Sequence, residues 1–265
     1  MPELPDVENF RRFLERTALR RTVTGVSVCD DRILHGDSPA ALRKAVEGRR
    51  LERTRRHGKH LLAGLDNGRW LTFHFGMTGR FETFRDEPPR STRVRFDFRE
   101  GDPLAFVDQR LFGGVGVTEN ARAFVEAHEL GPDALEISED EFSRTVLGGS
   151  RNLKAALMDQ AKIAGIGNEY SDEILFRARL HPEMRTNALD RERISRLYQL
   201  MREVLEKAIE TGAGTKEFDG NPPADFLIAH RRKGASCPRC GTPLQTKKSA
   251  GRTAWFCPRC QPAPA

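Results

Sequence analysis

Two cysteine pairs near the C-terminus restrict the folding of this chain more than any other feature. Cys237 and Cys240 form one Cys-x-x-Cys unit, Cys257 and Cys260 form a second, and sixteen residues separate the two units. Each pair can bind one face of a tetrahedral ion, and four thiolates favour a structural zinc ion with no open coordination position. So short a tail has too little core to fold without the ion. A pair of redox dithiols is the alternative, but the repeated unit argues against it.

The segment between the cysteine pairs and the overall charge both favour a nucleic-acid partner. Lys247, Lys248 and Arg252 lie at the turn of a predicted hairpin, and a basic hairpin tip can enter a nucleic-acid groove. An ordinary solvated turn would have the same composition. Lys and Arg total 44 against 38 Asp and Glu, which gives a net charge of +6 and a pI near 9.3. This charge favours a polyanionic partner, although a soluble basic protein of another kind would show it too.

The pattern of apolar residues predicts an α+β fold with several domains. Apolar positions at helical spacing predict a helix over residues 5–18, and short β-rich runs separated by Gly, Asn and Asp turns follow as far as residue 117. This second region is typical of a β-sandwich or barrel with one inserted helix near 39–47. The predicted strands cover 22–28, 60–65, 70–75, 93–98 and 104–107, and the later helices begin at 139 or cover 153–163, 169–178 and 191–211.

These sequence patterns divide the chain into three expected domains. They are a β-sandwich domain flanked by helices over 1–118, a helical domain over 119–225 and a zinc-finger hairpin over 226–265. No apolar stretch approaches the roughly 20 residues that a membrane-spanning helix needs, and no charged-then-apolar leader precedes the first helix. We therefore expect a cytoplasmic protein without a membrane partner.

A glycine-rich turn between two predicted helices gives a second nucleic-acid signal. Gly165 and Gly167 precede Asn168, and Lys154 lies on the helix upstream. Glycines allow a phosphate to approach the backbone closely, and the free N–H groups at the start of the next helix attract an anion. A helical hairpin that ends in a capping glycine is the alternative, but it accounts for one glycine more readily than for two.

Two turns in the β-rich region carry side chains that suit insertion into a base stack. One turn contains Met77, and the other contains Arg110 and Phe112. Apolar and basic residues on loop tips can hold a duplex open after a base has been extruded. By composition alone, Met77 and Phe112 fit a protein core at least as well.

The N-terminus offers a nucleophile beside an acid. Once Met1 is removed, Pro2 presents a secondary amine, and Glu3 places a carboxyl group next to it. An amine can attack an electrophilic sugar carbon and hold it as an iminium, and the acid can move the protons involved. If Met1 is retained, the Pro2 nitrogen is an amide and cannot do this.

Together these features resemble the formamidopyrimidine-DNA glycosylase and endonuclease VIII family. The resemblance spans nearly the whole chain, through the motifs MPELPDVE, GKHLL, HFGMTG, DQRLFGG, LMDQAKIAGIGNEYSDEILF and GRTAWFCPRCQ in this order. It implies an N-terminal β-sandwich, a helix-two-turn-helix domain and a C-terminal Cys₄ zinc finger. It also implies a DNA glycosylase with abasic-site (AP) lyase activity that acts on damaged double-stranded DNA as a monomer, without a small-molecule cofactor.

The resemblance also assigns roles to individual residues. It implies that Pro2 is the Schiff-base nucleophile, that Glu3 is the proton donor and that Lys59 assists elimination and contacts phosphate. Arg252 corresponds to the finger arginine that grips the phosphates beside the lesion and assists the last elimination. The implied DNA contacts are Lys154 and Asn168 to phosphates, and Met77, Arg110 and Phe112 in the space that the extruded nucleotide leaves.

Departures from the family pattern limit the substrate prediction. The segment between Phe218 and Gly234 is shorter than in 8-oxoguanine-excising members, where a longer loop closes over the extruded base, and Phe218 to Pro223 leave little to close with. The run Arg90 to Arg93 replaces a Lys-His-Asp-His stretch, so we expect arginines to substitute for a DNA-contacting histidine. His230 and Arg231 resemble the endonuclease VIII branch, whereas the Leu-Pro pair after Glu3 favours the formamidopyrimidine branch.

We therefore expect excision of oxidised or ring-opened purines, with formamidopyrimidines preferred over 8-oxoguanine. Endonuclease VIII-like excision of oxidised pyrimidines is the first alternative. A non-catalytic lesion-binding protein of the same fold is the second, and an RNA- or ribosome-associated zinc protein is the third.

Overall fold

The computed structural model describes residues 2–212, 222–249 and 251–264. The chain forms two compact units, one made of Met1–Pro2 and Asp6–Glu129 and the other of Glu3–Pro5 and Leu130–Ala265. Met1 and the short-loop residues 218–221 lie outside the described residues, so the predictions about Met1 removal and loop closure stay predictions. The three expected domain boundaries stay predictions as well.

The first unit is built from two four-stranded antiparallel sheets. Helix α1 (Leu4–Ala18) precedes β1 (Val23–Val28), and α2 (Pro39–Val46) follows it. The remaining strands are β2 (Leu51–His57), β3 (His60–Leu65), β4 (Trp70–His74), β5 (Arg80–Thr83), β6 (Thr92–Phe98), β7 (Leu104–Val107) and β8 (Gly114–Thr118). One sheet has the order β1-β6-β7-β5 and the other β2-β3-β4-β8. Helix α3 (Ala121–Ala127) ends the unit.

Aromatic residues from both sheets share the core of this unit. Phe73 on β4 and Phe106 on β7 are stacked with ring centroids 6.0 Å apart, and the Phe81 ring meets both of them edge-on. Phe10 of α1 packs against the Phe75 ring at 4.3 Å. Strand β6 alternates buried and partly buried residues, because successive side chains of a strand point to opposite faces, whereas β3, β4 and β7 are buried almost throughout. The β-sandwich predicted from the sequence is therefore confirmed.

The second unit is helical and ends in a hairpin. Its helices are α4 (Glu139–Leu147), α5 (Leu153–Met158), α6 (Asn168–Ala178) and α7 (Arg191–Glu210), and β9 (Gln245–Ser249) pairs with β10 (Arg252–Phe256). Helix α7 buries one face, which includes Ile194, Leu197 and Leu205. Among the helices of the described residues, none has both the length and the hydropathy that crossing a bilayer requires.

Several local predictions are confirmed, and others need correction. The Ser138 hydroxyl accepts a hydrogen bond from the Glu141 N–H, so the predicted helix start at Glu139 is right. The predicted helix over 153–163 ends at Met158, because Asp159 is extended and its side chain accepts the Ala161 N–H instead. Strands β2, β5 and β8 were not predicted. Strand β2 is rich in arginine, β5 has four residues and β8 contains two glycines, and each of these features weakens the strand signal.

Candidate active site

The Glu3 carboxylate binds the N-terminus of helix α6. One oxygen accepts the Gly167 N–H at 2.6 Å and the Tyr170 N–H at 3.3 Å, and the other accepts the Glu169 N–H at 2.8 Å. Glu3 is only 1% exposed, and the residue at the helix start, Gly167, provides no side-chain cap of its own. The unpaired N–H groups and the dipole of a helix N-terminus favour a negative charge there. Glu3 is therefore a rigidly held carboxylate, linked by one peptide bond to Pro2.

The two glycines before α6 are explained by this contact rather than by a phosphate. A Cβ at Gly167 would lie 2.4 Å from the Glu3 carboxylate, and a Cβ at Gly165 would lie 2.6 Å from the Leu4 side chain. The Leu4 N–H also donates to the Gly165 carbonyl at 3.1 Å. The sequence predicted that these glycines and helix N–H groups receive a DNA phosphate. The structure corrects this prediction, because the anion at the helix start is Glu3.

Lys154 lies in a buried charge network instead of on the surface. Its ammonium donates to the Asn168 carbonyl at 3.0 Å, the Ser171 hydroxyl at 2.8 Å and the Asp172 carboxylate at 2.5 Å. An ammonium has three donors, so all of them are used within the protein. Burial lowers the pKa of Lys154 and raises the pKa of Asp172. The structure thus differs from the expected phosphate contact, which would require this network to open.

Asp172 connects the network to the zinc hairpin and to the segment before it. Its second oxygen accepts the Trp255 N–H of β10 at 3.1 Å and lies 3.2 Å from the Arg231 guanidinium. Arg231 also pairs with Glu169 at 2.7 Å. No sequence pattern indicated this role for Asp172, because a single acidic residue in a helix looks the same in the sequence whether it is buried or solvated.

Asn168 and Arg252 are brought into the same neighbourhood by this arrangement. The Asn168 side-chain amide donates to the carbonyl of Thr253 at 3.2 Å, one residue beyond Arg252. Its side-chain oxygen is buried and has no partner among the described residues. Arg252 is exposed, and no carboxylate in the described part of the chain pairs with it. Arg252 therefore keeps its guanidinium available for an external anion, which suits its expected phosphate contact. The unpartnered oxygen of Asn168 is an acceptor, so the phosphate contact expected of Asn168 stays a prediction.

The other basic residues of the hairpin are partly engaged within the protein. Lys247 forms an ion pair with Glu183 at 2.6 Å, and Lys248 donates to the Thr253 hydroxyl at 3.2 Å. Arg252 is therefore the residue of this expected cluster that is best placed to meet a phosphate.

Lys59 occupies the tight turn between β2 and β3, in the first unit with Pro2. His57 pairs with His60 across the turn, and Gly58 adopts a φ of 55°, a left-handed conformation that favours glycine. Burial lowers the pKa of His60 to about 3, and His74, His128 and Lys59 shift it in the same direction. The imidazole is thus neutral near pH 7. Lys59 is itself buried, at 9% exposure, and Pro2 is half-buried.

The two turns expected to enter the base stack are exposed and packed against each other. Met77 and Phe112 are 44% and 53% exposed, and they are the exposed large hydrophobic residues of the described chain. The Arg110 guanidinium lies over the Phe112 ring at 4.8 Å. Gly76 packs so closely against Phe112 that a Cβ there would lie 2.3 Å from its backbone. The alternative that Met77 and Phe112 belong to the core is wrong.

The four cysteines form a site that fits one structural zinc ion. Their sulfur atoms all lie within 4.8 Å of one another. Backbone N–H groups of Arg239 and Cys260 donate to the sulfurs of Cys237 and Cys257 at 3.4 Å each, and such bonds stabilise thiolates. Four sulfur ligands complete a tetrahedral shell and leave no position for a substrate. The zinc prediction is therefore confirmed.

Comparisons with known proteins agree with this geometry. Residues 1–115 match the family model "Formamidopyrimidine-DNA glycosylase N-terminal domain", residues 130–219 match the "Formamidopyrimidine-DNA glycosylase H2TH domain" and residues 236–263 match the "Zinc finger found in FPG and IleRS". These three ranges cover most of the chain, in the order that the sequence motifs predicted.

Full-length relatives and solved structures extend the match. A formamidopyrimidine-DNA glycosylase of Nocardioides sp. is 39% identical, covering 100% of this chain and 95% of the relative. The structure of LlFpg with DNA containing N7-benzyl-Fapy-dG is 28% identical with a TM-score of 0.88, covering 99% of this chain and 100% of that one. The structure of MutM with DNA containing carbocyclic 8-oxo-G is 27% identical with the same TM-score and coverage.

Proposed function

Because the chain belongs to the formamidopyrimidine-DNA glycosylase family, we propose that it is a base-excision repair enzyme that excises ring-opened or oxidised purines through Pro2. Glycosylase and AP lyase activity are general to this family. The observation that carries the residue assignment is the Glu3 carboxylate, buried and bound by three N–H groups of the α6 N-terminus. Such a fixed acid beside the Pro2 nitrogen supplies the geometry that proton transfer at a sugar needs.

The reaction proceeds by covalent catalysis at the sugar. The Pro2 nitrogen attacks C1′ of the extruded nucleotide, the bond to the damaged base breaks, and the base leaves with the electron pair and gains a proton. The Glu3 carboxylate takes the proton from the Pro2 nitrogen once the bond to C1′ has formed, and passes it to the ring oxygen. The sugar ring then opens and an iminium forms between Pro2 and C1′. A secondary amine gives an iminium that has no N–H to lose, so it stays cationic and remains a strong electron sink.

Two eliminations then cleave the strand. The iminium acidifies the C2′ proton, and its loss expels the 3′ phosphate. Loss of a further proton expels the 5′ phosphate and leaves a gap of one nucleotide. We propose that Lys59 and Arg252 contact the phosphates and assist these two eliminations. Arg252 is exposed and has no carboxylate partner within the described residues, which supports this role. Water finally hydrolyses the iminium and releases the enzyme.

We assign the exposed turns of the first unit, and separately the hairpin of the second unit, to DNA contacts. Met77, Phe112 and Arg110 are exposed and adjacent, which suits insertion into the stack once a nucleotide has been extruded. Asn168 keeps a buried side-chain oxygen without a partner in the described chain, and its amide is held next to the hairpin. We assign Asn168 to positioning the phosphate contacts of this region. The Lys154 ammonium can contact a phosphate only if at least one of its three hydrogen bonds within the protein breaks.

Zinc contributes structure and no catalytic step. The four thiolates would hold the ion at the base of the β9–β10 hairpin, and this ion stabilises the segment that carries Arg252. The chemistry assigned to Pro2 and Glu3 needs no Lewis acid.

Trapping the covalent intermediate tests the proposal. Borohydride reduces the iminium to a stable amine, so the processed protein should be cross-linked to duplexes that contain a lesion or an abasic site. The matched control carries one additional residue before Pro2, which converts its nitrogen into an amide and leaves every other group unchanged. Cross-linking by the extended protein at the same yield would contradict the assignment of Pro2, and lesion binding without any cross-link would favour a non-catalytic binder.

A lesion panel separates the substrate alternatives. We propose duplex DNA with formamidopyrimidine as the preferred substrate, followed by 8-oxoguanine. The LlFpg and MutM structures bound to such DNA support a purine lesion. Excision limited to thymine glycol would instead assign the chain to oxidised pyrimidines, and a preference for RNA over abasic duplex would favour the RNA-associated alternative. We further propose that the enzyme acts as a monomer in the bacterial cytoplasm, where its DNA partner is located.

A further inference from the structure

The turn that carries Arg110 and Phe112 is held by one buried acid from inside. Asp108 is 0% exposed, and its side-chain oxygens accept the Arg110 N–H at 3.1 Å, the Gly113 N–H at 2.8 Å and the Thr78 hydroxyl at 2.5 Å. Asp108 therefore closes the turn 108–113 and joins it to the turn that carries Met77. We call residues 108–113 the insertion turn.

The insertion turn also contains backbone strain that requires such support. Leu111 adopts a φ of 55°, which is a left-handed conformation in a residue with a branched side chain. This conformation is unfavourable by about 1–2 kcal/mol for a residue with a Cβ. A strained and exposed turn keeps its shape only if the surrounding contacts determine it.

A second support reaches the insertion turn from the neighbouring strand. The Arg93 guanidinium on β6 donates from Nε to the Asp108 carbonyl at 2.6 Å and from an Nη to the Gln109 carbonyl at 3.4 Å. Its other Nη lies 3.4 Å from the Asp30 carboxylate. Asp30 is in turn held by the Arg32 guanidinium at 2.7 and 2.9 Å.

We infer that Arg93 is a positioning residue that, together with Asp30, fixes the insertion turn for nucleotide extrusion. The inference rests on the proposed function. It corrects the expectation that Arg93 substitutes for a DNA-contacting histidine, because its guanidinium is already directed at two carbonyls and a carboxylate and is 19% exposed. A planar guanidinium can grip two adjacent carbonyls at once, whereas a lysine ammonium at this place cannot reproduce that fork.

Conservative and neutralising variants distinguish positioning from DNA contact. Arg93→Lys keeps the charge and loses the fork, Arg93→Gln loses both, and Asp30→Asn weakens the support without touching the Arg93 side chain. Arg90→Gln is the matched control, because Arg90 belongs to the same run and is exposed. Extrusion is followed by stopped-flow fluorescence of 2-aminopurine next to the lesion. Cleavage of an abasic site in single-stranded DNA, where no base pair must open, reports the chemistry alone.

We expect Arg93→Lys and Arg93→Gln to slow extrusion by about tenfold, the effect of losing one or two hydrogen bonds from a charged donor. We expect Asp30→Asn to slow extrusion as well. Single-stranded abasic cleavage by all three stays within about twofold of wild type. Hydrogen exchange of the insertion turn becomes faster in the three variants and stays unchanged in Arg90→Gln, and this readout requires no activity.

A DNA-contact role for Arg93 gives the opposite pattern. Arg93→Lys would then extrude at the wild-type rate, Arg93→Gln would reduce the salt dependence of binding by about one phosphate, and Asp30→Asn would tighten binding because it removes a negative charge. Any of these results overturns the inference. Failure of the wild-type protein to cleave abasic DNA would instead reject the proposed function, and the exchange measurement would still decide the role of Arg93.

Discussion

Replacing Gly167 with alanine tests the fixed Glu3 carboxylate most sharply. The added Cβ would lie 2.4 Å from the carboxylate, about 1 Å inside ordinary contact distance between nonbonded heavy atoms. Gly167 has a φ of −123° and a ψ of −154°, an extended conformation that alanine also adopts. The substitution therefore introduces a steric conflict and no backbone strain, and Glu3 is the group that must move.

The expected magnitudes follow from the contacts that are lost. The displaced carboxylate gives up three N–H bonds, and partial rehydration offsets some of the loss, so the free energy of unfolding should fall by about 2 to 4 kcal/mol. A catalytic group displaced by about 1 Å loses about 100-fold in rate. We expect single-turnover excision to fall by this factor. Urea unfolding and single-turnover kinetics measure the two quantities.

The control and the refuting results are specific. Gly25→Ala adds a Cβ that makes ordinary contacts no closer than 3.5 Å, so it should leave stability within about 0.5 kcal/mol. If Gly167→Ala keeps both the rate and the stability of the wild type, Glu3 does not occupy the helix terminus. If stability falls and the rate is unchanged, Glu3 caps the helix and takes no part in the chemistry.

Four further predictions address other parts of the molecule. Burial raises the pKa of Glu173 from 4.5 to about 7, so its folded form prefers the proton. Relative to Glu173→Gln, the wild type should therefore lose stability as pH rises from about 5 to 7, and a pH-independent difference in urea unfolding would contradict this. Cys257→Ser should abolish stoichiometric zinc and weaken DNA binding, which metal analysis and titration check; full binding without zinc would refute it. Met77→Ala should impair extrusion more than nonspecific binding, and an equal loss of both in fluorescence measurements would contradict this. Arg252→Ala should weaken binding to all lesions alike, and a loss confined to one lesion in fluorescence titrations would contradict this.

Sequence motifs predicted the architecture well because each motif has a local physical cause. The cysteine spacing requires a metal, the alternation of β6 requires a half-buried strand, and Ser138 caps the helix that follows it. Such signals depend on neighbours in sequence and need no knowledge of distant contacts. The weakly patterned strands, such as the arginine-rich β2, are formed by pairing with β3, which no local signal reports.

The contacts of the candidate site residues were harder to predict from the sequence than the architecture. Gly167 and Lys154 were both expected to meet a phosphate, yet Gly167 makes room for Glu3, 164 residues away in sequence, and Lys154 binds Asp172. Arg93 was expected to substitute for a DNA-contacting histidine, and its guanidinium donates to the Asp108 and Gln109 carbonyls. In each case, a polar or glycine residue meets a partner from a distant segment. The sequence shows that such a residue is unusual but cannot show what it contacts.

The identity of the nitrogen that bonds to the sugar tests the account most directly. After borohydride trapping on abasic duplex DNA, proteolysis and mass spectrometry locate the modified residue. The account predicts a single adduct on the N-terminal peptide, at Pro2 of protein from which Met1 has been removed. An adduct on Lys59 or another lysine, formed while Pro2 stays unmodified, would contradict it.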